Sequence, residues 1–207
     1  MGHTDEVDKV YRPGFGKVLS GAVIAICALA LITFTVREGG IGFTGSAPWL
    51  ALVGGASWAI FWRPEVVVDD GGVHLHNVLR TIDVPWPAIQ RIDTKWALTL
   101  FTHYGTFTAW AAPAPSRTAT KDLSPGDIAG LPESTYAAGR SIRPGDSPNS
   151  PSGKAARAVR AHWEQLRDAG HLSDPRLEFS KVPVRWHWPT ILVALTLLLL
   201  GLVDAAL

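Results

Sequence analysis

"PEVVVDDGGVHLHN", Pro64 to Asn77, decides how the middle of the chain is read. Val66, Val67 and Val68 form a short β-branched run, Asp69 to Gly72 has the composition of a tight turn, and Val73 to His76 reads as the returning strand. Together they predict a β-hairpin, with glycine supplying a positive φ in the turn. Strand language continues outward through "RTIDVPW", "AIQRIDTKW", "ALTLFTHY", a turn at Gly105, and "TFTAWAA". Period-2 alternation sets Leu98, Leu100, Thr102 and Tyr104 on one face against Thr99, Phe101 and His103 on the other. It likewise sets Phe107 and Ala109 against Thr108 and Trp110. Such spacing builds a small, strongly bent antiparallel sheet.

Beyond this segment the composition changes in both directions. The chain has 207 residues, 47% of them apolar and only 18% charged, an imbalance that points to a membrane protein. The apolar residues gather in three runs. "VLSGAVIAICALALITFTV" (Val18–Val36) is uncharged and long enough to span the hydrocarbon core. A signal peptide is the rival reading, but the following "VREGG" offers no small-residue cleavage site. "APWLALVGGASWAIFW" (Ala47–Trp62) is shorter, with small residues at Gly54–Ser57 and a Trp near each end; a buried soluble helix is its alternative. "WPTILVALTLLLLGLV" (Trp188–Val203) is the most apolar, with Pro189 in its first turn, where a missing N–H costs little. The first two runs, joined by "REGGIGFTGS", predict a helical hairpin.

Gly40, Gly42 and Gly45 in that joining segment match the G-x-G-x-x-G spacing of dinucleotide-binding turns. The fingerprint requires a strand before it and a helix after it. Here it lies between two apolar runs, so it is read as a hairpin turn and no nucleotide is expected. The net charge of +1 gives no broad field for nucleic acid. Cys27 has no cysteine partner in the chain. Lys9, Arg12 and Lys17 before the first run, Arg63 after the second, and Lys181 and Arg185 before the third, opposed only by Arg37, predict a cytoplasmic N-terminus and middle segment with the C-terminus outside.

Residues 113–153 hold seven of the fifteen prolines and few large apolar groups, and are expected to be a disordered Pro/Ser/Gly-rich insertion. In "GKAARAVRAHWEQLRDAG", Ala156, Val159, Trp163 and Leu166 form an apolar stripe. This predicts an amphipathic helix over 154–170 that packs its Trp163 face on the sheet and ends at Gly170. The expected order is a tail (1–17), a hairpin (18–62), a β domain (63–112), the insertion, the helix, a connector (171–187) and a last membrane helix (188–207).

The series "PEVVVDDGGVHLHN", "VPWPAIQRI" and "LTLFTHYGTFTAWAAPAP" resembles the small bacterial pleckstrin-homology-like (PH-like) domains of actinobacterial membrane proteins. The likeness rests on Gly71–Gly72, Asn77, Pro85–Trp86 and Ile89. It implies an α+β membrane protein: an N-terminal transmembrane hairpin, an antiparallel β-sandwich or partial barrel closed by a C-terminal helix, and one C-terminal transmembrane helix. It implies docking rather than a reaction. Related eukaryotic domains bind phosphoinositide through basic residues in the first hairpin turn, where this chain has Asp69 and Asp70, which repel phosphate.

Residues 63–186 carry 15 basic against 13 acidic residues, leaving a weak attraction to anionic lipid. Arg157, Arg160 and Arg167 are the candidate lipid- or partner-contacting residues, weighed against an ordinary solvated helix face. His74, His76 and His103 can be imagined around zinc, but no Cys or carboxylate spacing completes a site, so no metal and no cofactor are expected. Neither G-x-S-x-G nor H-E-x-x-H occurs. Glu38, Glu65 and Asp204 sit at membrane edges, away from any midplane proton path. These features predict a non-catalytic membrane protein that docks an unknown protein partner. The alternatives are an anionic-lipid-sensing or envelope-homeostasis factor and, more distantly, an enzyme or transporter subunit.

Overall fold

A computed structural model describes residues 9–116, 130–136, 142–172 and 181–206, with only the backbone described at 38–44. The chain divides into two compact units. One comprises the chain up to Arg12 together with Glu65–Arg185; the other comprises Pro13–Pro64 and Trp186–Leu207.

The first unit is built from two sheets. β1 (Lys9–Tyr11), β2 (Glu65–Val68), β3 (Gly72–His76), β4 (Arg80–Pro85) and β8 (Val184–Trp186) form a five-stranded sheet in the order β1-β2-β3-β4-β8. β5 (Ile89–Asp93), β6 (Ala97–Thr102) and β7 (Gly105–Pro113) form a three-stranded antiparallel sheet. Alternation along the strands turns Val66, Val73, Leu75, Ile82, Val84, Leu98 and Leu100 into one dry core, joined by Ala109 and Ala111 of β7. Helix α2 (Pro151–Asp168) packs Ala155, Ala156 and Val159 into the same core, and these small side chains let its backbone approach the sheet closely.

The first hairpin differs from expectation in its mechanism. Its glycines do not have positive φ; among the described residues only Gly105, Gly130 and Gly170 do. The Asp69 carboxylate instead folds the turn, accepting from the N–H groups of Gly71 at 2.8 Å and Gly72 at 3.0 Å. Gly72 is needed for space, since a Cβ there would overlap the Val84 carbonyl of the neighbouring strand.

Two edge strands were not expected. β1 pairs antiparallel with β2, Lys9 opposite Val68 and Tyr11 opposite Val66. β8 borders β4, with the Asp83 N–H donating to the Pro183 carbonyl at 3.0 Å just before it. The insertion also differs where it is described. Leu131, Thr135, Asp146, Ser147 and Ser150 are buried, so residues 142–153 are part of the folded unit rather than a coreless tether. Residues 117–129 and 137–141 lie outside the described residues. α2 begins three residues earlier than expected because Ser150 caps it, its hydroxyl accepting from the Gly153 N–H at 2.9 Å, with Pro151 in the first turn. It ends in a Schellman arrangement: Gly170 at φ 79° donates to Arg167, and His171 donates to Leu166.

In the second unit, α1 (Gly14–Ser57) continues into a π-helical turn at Trp58–Trp62, and α3 (Trp188–Ala206) packs against α1. A straight helix of α1's length would be roughly 65 Å long. Instead α1 folds back: Leu31 and Leu50 line one groove, Gly54 lies against Cys27, and the Lys17 ammonium is 5.9 Å from the centre of the Trp62 ring. The joining segment, expected as a tight flexible turn, has a helical backbone at residues 38–44. Gly14–Arg37 and Trp188–Ala206, at 24 and 19 residues, are long and apolar enough to cross a membrane. Gly201 meets the Trp49 indole, and Arg63 donates to the Thr190 hydroxyl at 2.9 Å.

Candidate docking site

A cleft of about 470 Å³ in the β-rich unit opens between the β2–β3 turn and α2, with Lys9, Asp69, Asp70, His74, His162 and Gln165 in its wall. Its polar groups are mostly committed to one another. The Asp69 carboxylate that folds the turn also meets His74 Nε2 at 2.8 Å, and His74 Nδ1 meets Asp83 at 2.7 Å. Asp83 in turn pairs with Arg185 at 3.1 Å. The Trp86 indole N–H donates to the Asp69 carbonyl at 2.9 Å, and the His162 ring lies 4.6 Å from Trp86. The turn amides that an anion would use are therefore held by the chain's own carboxylate, and Asp70 adds negative charge beside them.

On the same sheet, Glu65 bridges Arg12 and His76. Burial pushes the His76 imidazole below its ordinary value and the charges of His74 and Arg185 act the same way, outweighing the opposing pull of Glu65 and Asp83. Burial likewise pushes the Tyr11 phenol up, against the charge of Arg157.

The three candidate arginines do not form one surface. Arg157 is exposed. Arg167 is also exposed, lying over the Trp163 ring at 5.3 Å and bonding Asp168 at 3.0 Å. Arg160 is 4% exposed and cannot contact lipid or a partner. It bonds Asp146 at 2.5 Å, and Asp146 accepts from Thr94 at 2.6 Å, so the helix, the insertion and the β5–β6 turn are tied at one buried ion pair. Sequence reasoning missed this pair because Asp146 lies in a Pro/Gly/Ser-rich stretch with no apolar periodicity to mark it as interior. The histidines are dispersed in the same way: His103 bonds Gln90 at 2.9 Å, and no group of three metal-ligating side chains occurs among the described residues.

The outward surface of the three-stranded sheet carries unusual groups. Trp96 is 74% exposed and Trp110 56%, and the Arg91 guanidinium stacks 3.9 Å from the Phe101 ring centre. The outward direction of Trp110 was readable from the alternation of β7. The exposure of Trp96, which sits in a turn, was not.

Residues 63–165 match the family described as Bacterial PH domain. This segment forms a PH-like domain. No curated protein and no solved structure matches the chain. The match covers β2 to β7, the insertion and most of α2; β1 and β8 lie outside it. The PH-like domain of this chain is thus flanked at both sheet edges by strands drawn from segments adjoining the apolar helices in sequence.

Proposed function

We propose that the chain is a non-catalytic multi-pass membrane protein that presents its PH-like domain at the cytoplasmic face to dock a protein partner and assist assembly of a membrane complex. The family match carries the docking part of this reading, because a PH-like domain suggests a protein or lipid docking module. Membrane placement is supported by apolar side chains that face outward on long helices, as at Ile26 and Leu29, and sidedness by the basic residues flanking the runs. The absence of catalysis is supported by the cleft: both nitrogens of His74 engage carboxylates, leaving neither free to move a substrate proton.

A protein partner is favoured over a phosphoinositide headgroup because Asp69 and Asp70 occupy the turn. The exposed Arg157 and Arg167 keep lipid sensing as the second reading. The test is crosslinking in native cells followed by detergent extraction, comparing the intact chain with one lacking residues 65–185. A partner retained only by the intact chain supports docking. Identical or empty sets refute it for stable complexes and shift the reading to lipid.

A further inference from the structure

We infer that the outward face of the β5–β6–β7 sheet is the partner-binding surface, and that it takes an acidic protein segment bearing an apolar or aromatic anchor. The inference rests on the docking reading and gives it a place and a chemistry. On this face Arg91 lies opposite Phe101 and covers its ring, the Thr99 and Thr108 hydroxyls meet at 3.2 Å, and Trp110 follows along β7. Beyond the β5–β6 turn, Trp96 joins the end of β7 through the Ala114 N–H, with the Lys95 ammonium 5.7 Å from its ring.

Charge complementarity chooses the occupant. Arg91, Lys95 and His103 are exposed here, while the nearest carboxylate along the strand, Asp93, is engaged by Arg143 at 2.6 Å and by the Lys95 N–H at 2.9 Å. Among the described residues, an acidic segment finds Arg91 and Lys95 outside any ion pair, whereas a basic one finds no open carboxylate on this face. Exposed Trp and Arg are the residue types that dominate binding energy at protein interfaces. The shape opposes bilayer insertion: Trp110 lies mid-strand among Thr99, Thr106 and Thr108, and burying it in hydrocarbon would strip water from those hydroxyls. The adjoining edge of β7 is already closed, since the Asn77 side chain donates to the Thr108 carbonyl and accepts from the Trp110 N–H. Recognition is therefore through the face and not by adding a strand.

The experiment presents the full chain in neutral-lipid nanodiscs to a displayed library of random peptides. A selected peptide is then titrated against the intact chain, Trp110→Ala and Arg91→Glu, with phosphatidylglycerol vesicles as a parallel probe. Expected are peptides enriched in Asp and Glu with an aromatic or aliphatic anchor, bound more weakly at higher salt, and weakened roughly tenfold or more by each substitution. Unchanged thermal unfolding in Arg91→Glu separates loss of the surface from loss of the fold. A selection that enriches nothing, peptides without acidic bias, or affinity indifferent to both variants overturns the assignment. So does vesicle binding that the variants abolish in place of peptide binding. If the partner crosslinked to the intact chain persists in both variants, docking stands and this face is not its place.

Discussion

The two units are built inside out with respect to each other. In the PH-like unit, Val66, Leu75, Ile82, Leu98 and Leu100 are fully buried and the charges lie outside. In the helical unit the buried positions include Ser20, Ser57 and Gly201, while Phe15, Val18, Ile26 and Leu29 are exposed, Phe15 to 79%. A chain selected for water alone does not place its largest apolar groups outward along whole helices. The inversion is the physical content of the membrane proposal. In hydrocarbon, small residues bring helices together, and large apolar ones serve as the solvated surface.

The largest expected effect breaks the exception among the described residues of the PH-like unit, the buried ion pair of Arg160 and Asp146. Arg160→Ala or Asp146→Ala leaves a single buried charge and should cost about 3–5 kcal/mol, read as a lower denaturant midpoint of the full chain in nanodiscs. Replacing both, as Asp146→Leu with Arg160→Met, should recover most of that loss. A single variant within about 0.5 kcal/mol of the parent would mean that the insertion does not clasp the helix.

The next effect tests the inversion directly. Leu29 is 66% exposed and Leu79 48% exposed, so a solvent-blind count treats them alike. Leu29→Lys should disfavour membrane insertion by about 2.5–3.5 kcal/mol, measured as the inserted fraction. Leu79→Lys should leave both insertion and stability within about 0.5 kcal/mol. Equal tolerance at the two sites would show that both units face water. A smaller cost, about 1–3 kcal/mol, is expected for Gly201→Leu, because even a Cβ there would come within 2.7 Å of the Trp49 ring. Thermal unfolding with a Trp fluorescence readout checks it, and Gly21→Leu, which has open space, is the control.

Periodicity made the β2 to β7 strands legible, because alternating Val, Leu and Ile carry the core on every second position. The apolar helices were legible from length. What escaped were elements too short or too polar to show a period. β1 is three residues of a charged tail, and it becomes a strand only because β2 offers a free edge at Val66–Val68. Arg160 reads as a lipid- or partner-contacting candidate because a lone arginine on a helix is usually exposed, and its partner lies 14 residues back in a proline-rich stretch. Asp69 illustrates the same limit: composition located the turn, but only coordinates show that a carboxylate rather than a positive φ makes it. The candidate docking face was half legible, Trp110 from its strand period and Trp96 not at all.

The faintest way to sharpen the comparison is pH, since five of the seven histidines lie within residues 65–185. Burial, with His74 and Arg185, holds His76 below the ordinary imidazole value of 6.5 despite Glu65 and Asp83. The unfolded chain therefore takes up this proton first as pH falls, so stability drops on acidification from about 6.5 and levels off below the folded value. Asp93 adds a second step in the same direction. Burial raises its carboxyl, but the Arg143 side chain and the Lys95 and Thr94 amides outweigh this and hold it below 3.8. Its contribution is present above that value and is lost as pH falls through the folded one. His76→Gln should flatten the first step and Arg143→Ala should shrink the second, in denaturant midpoints taken across pH. Loss of the first step in Arg143→Ala alone would assign that titration to another group.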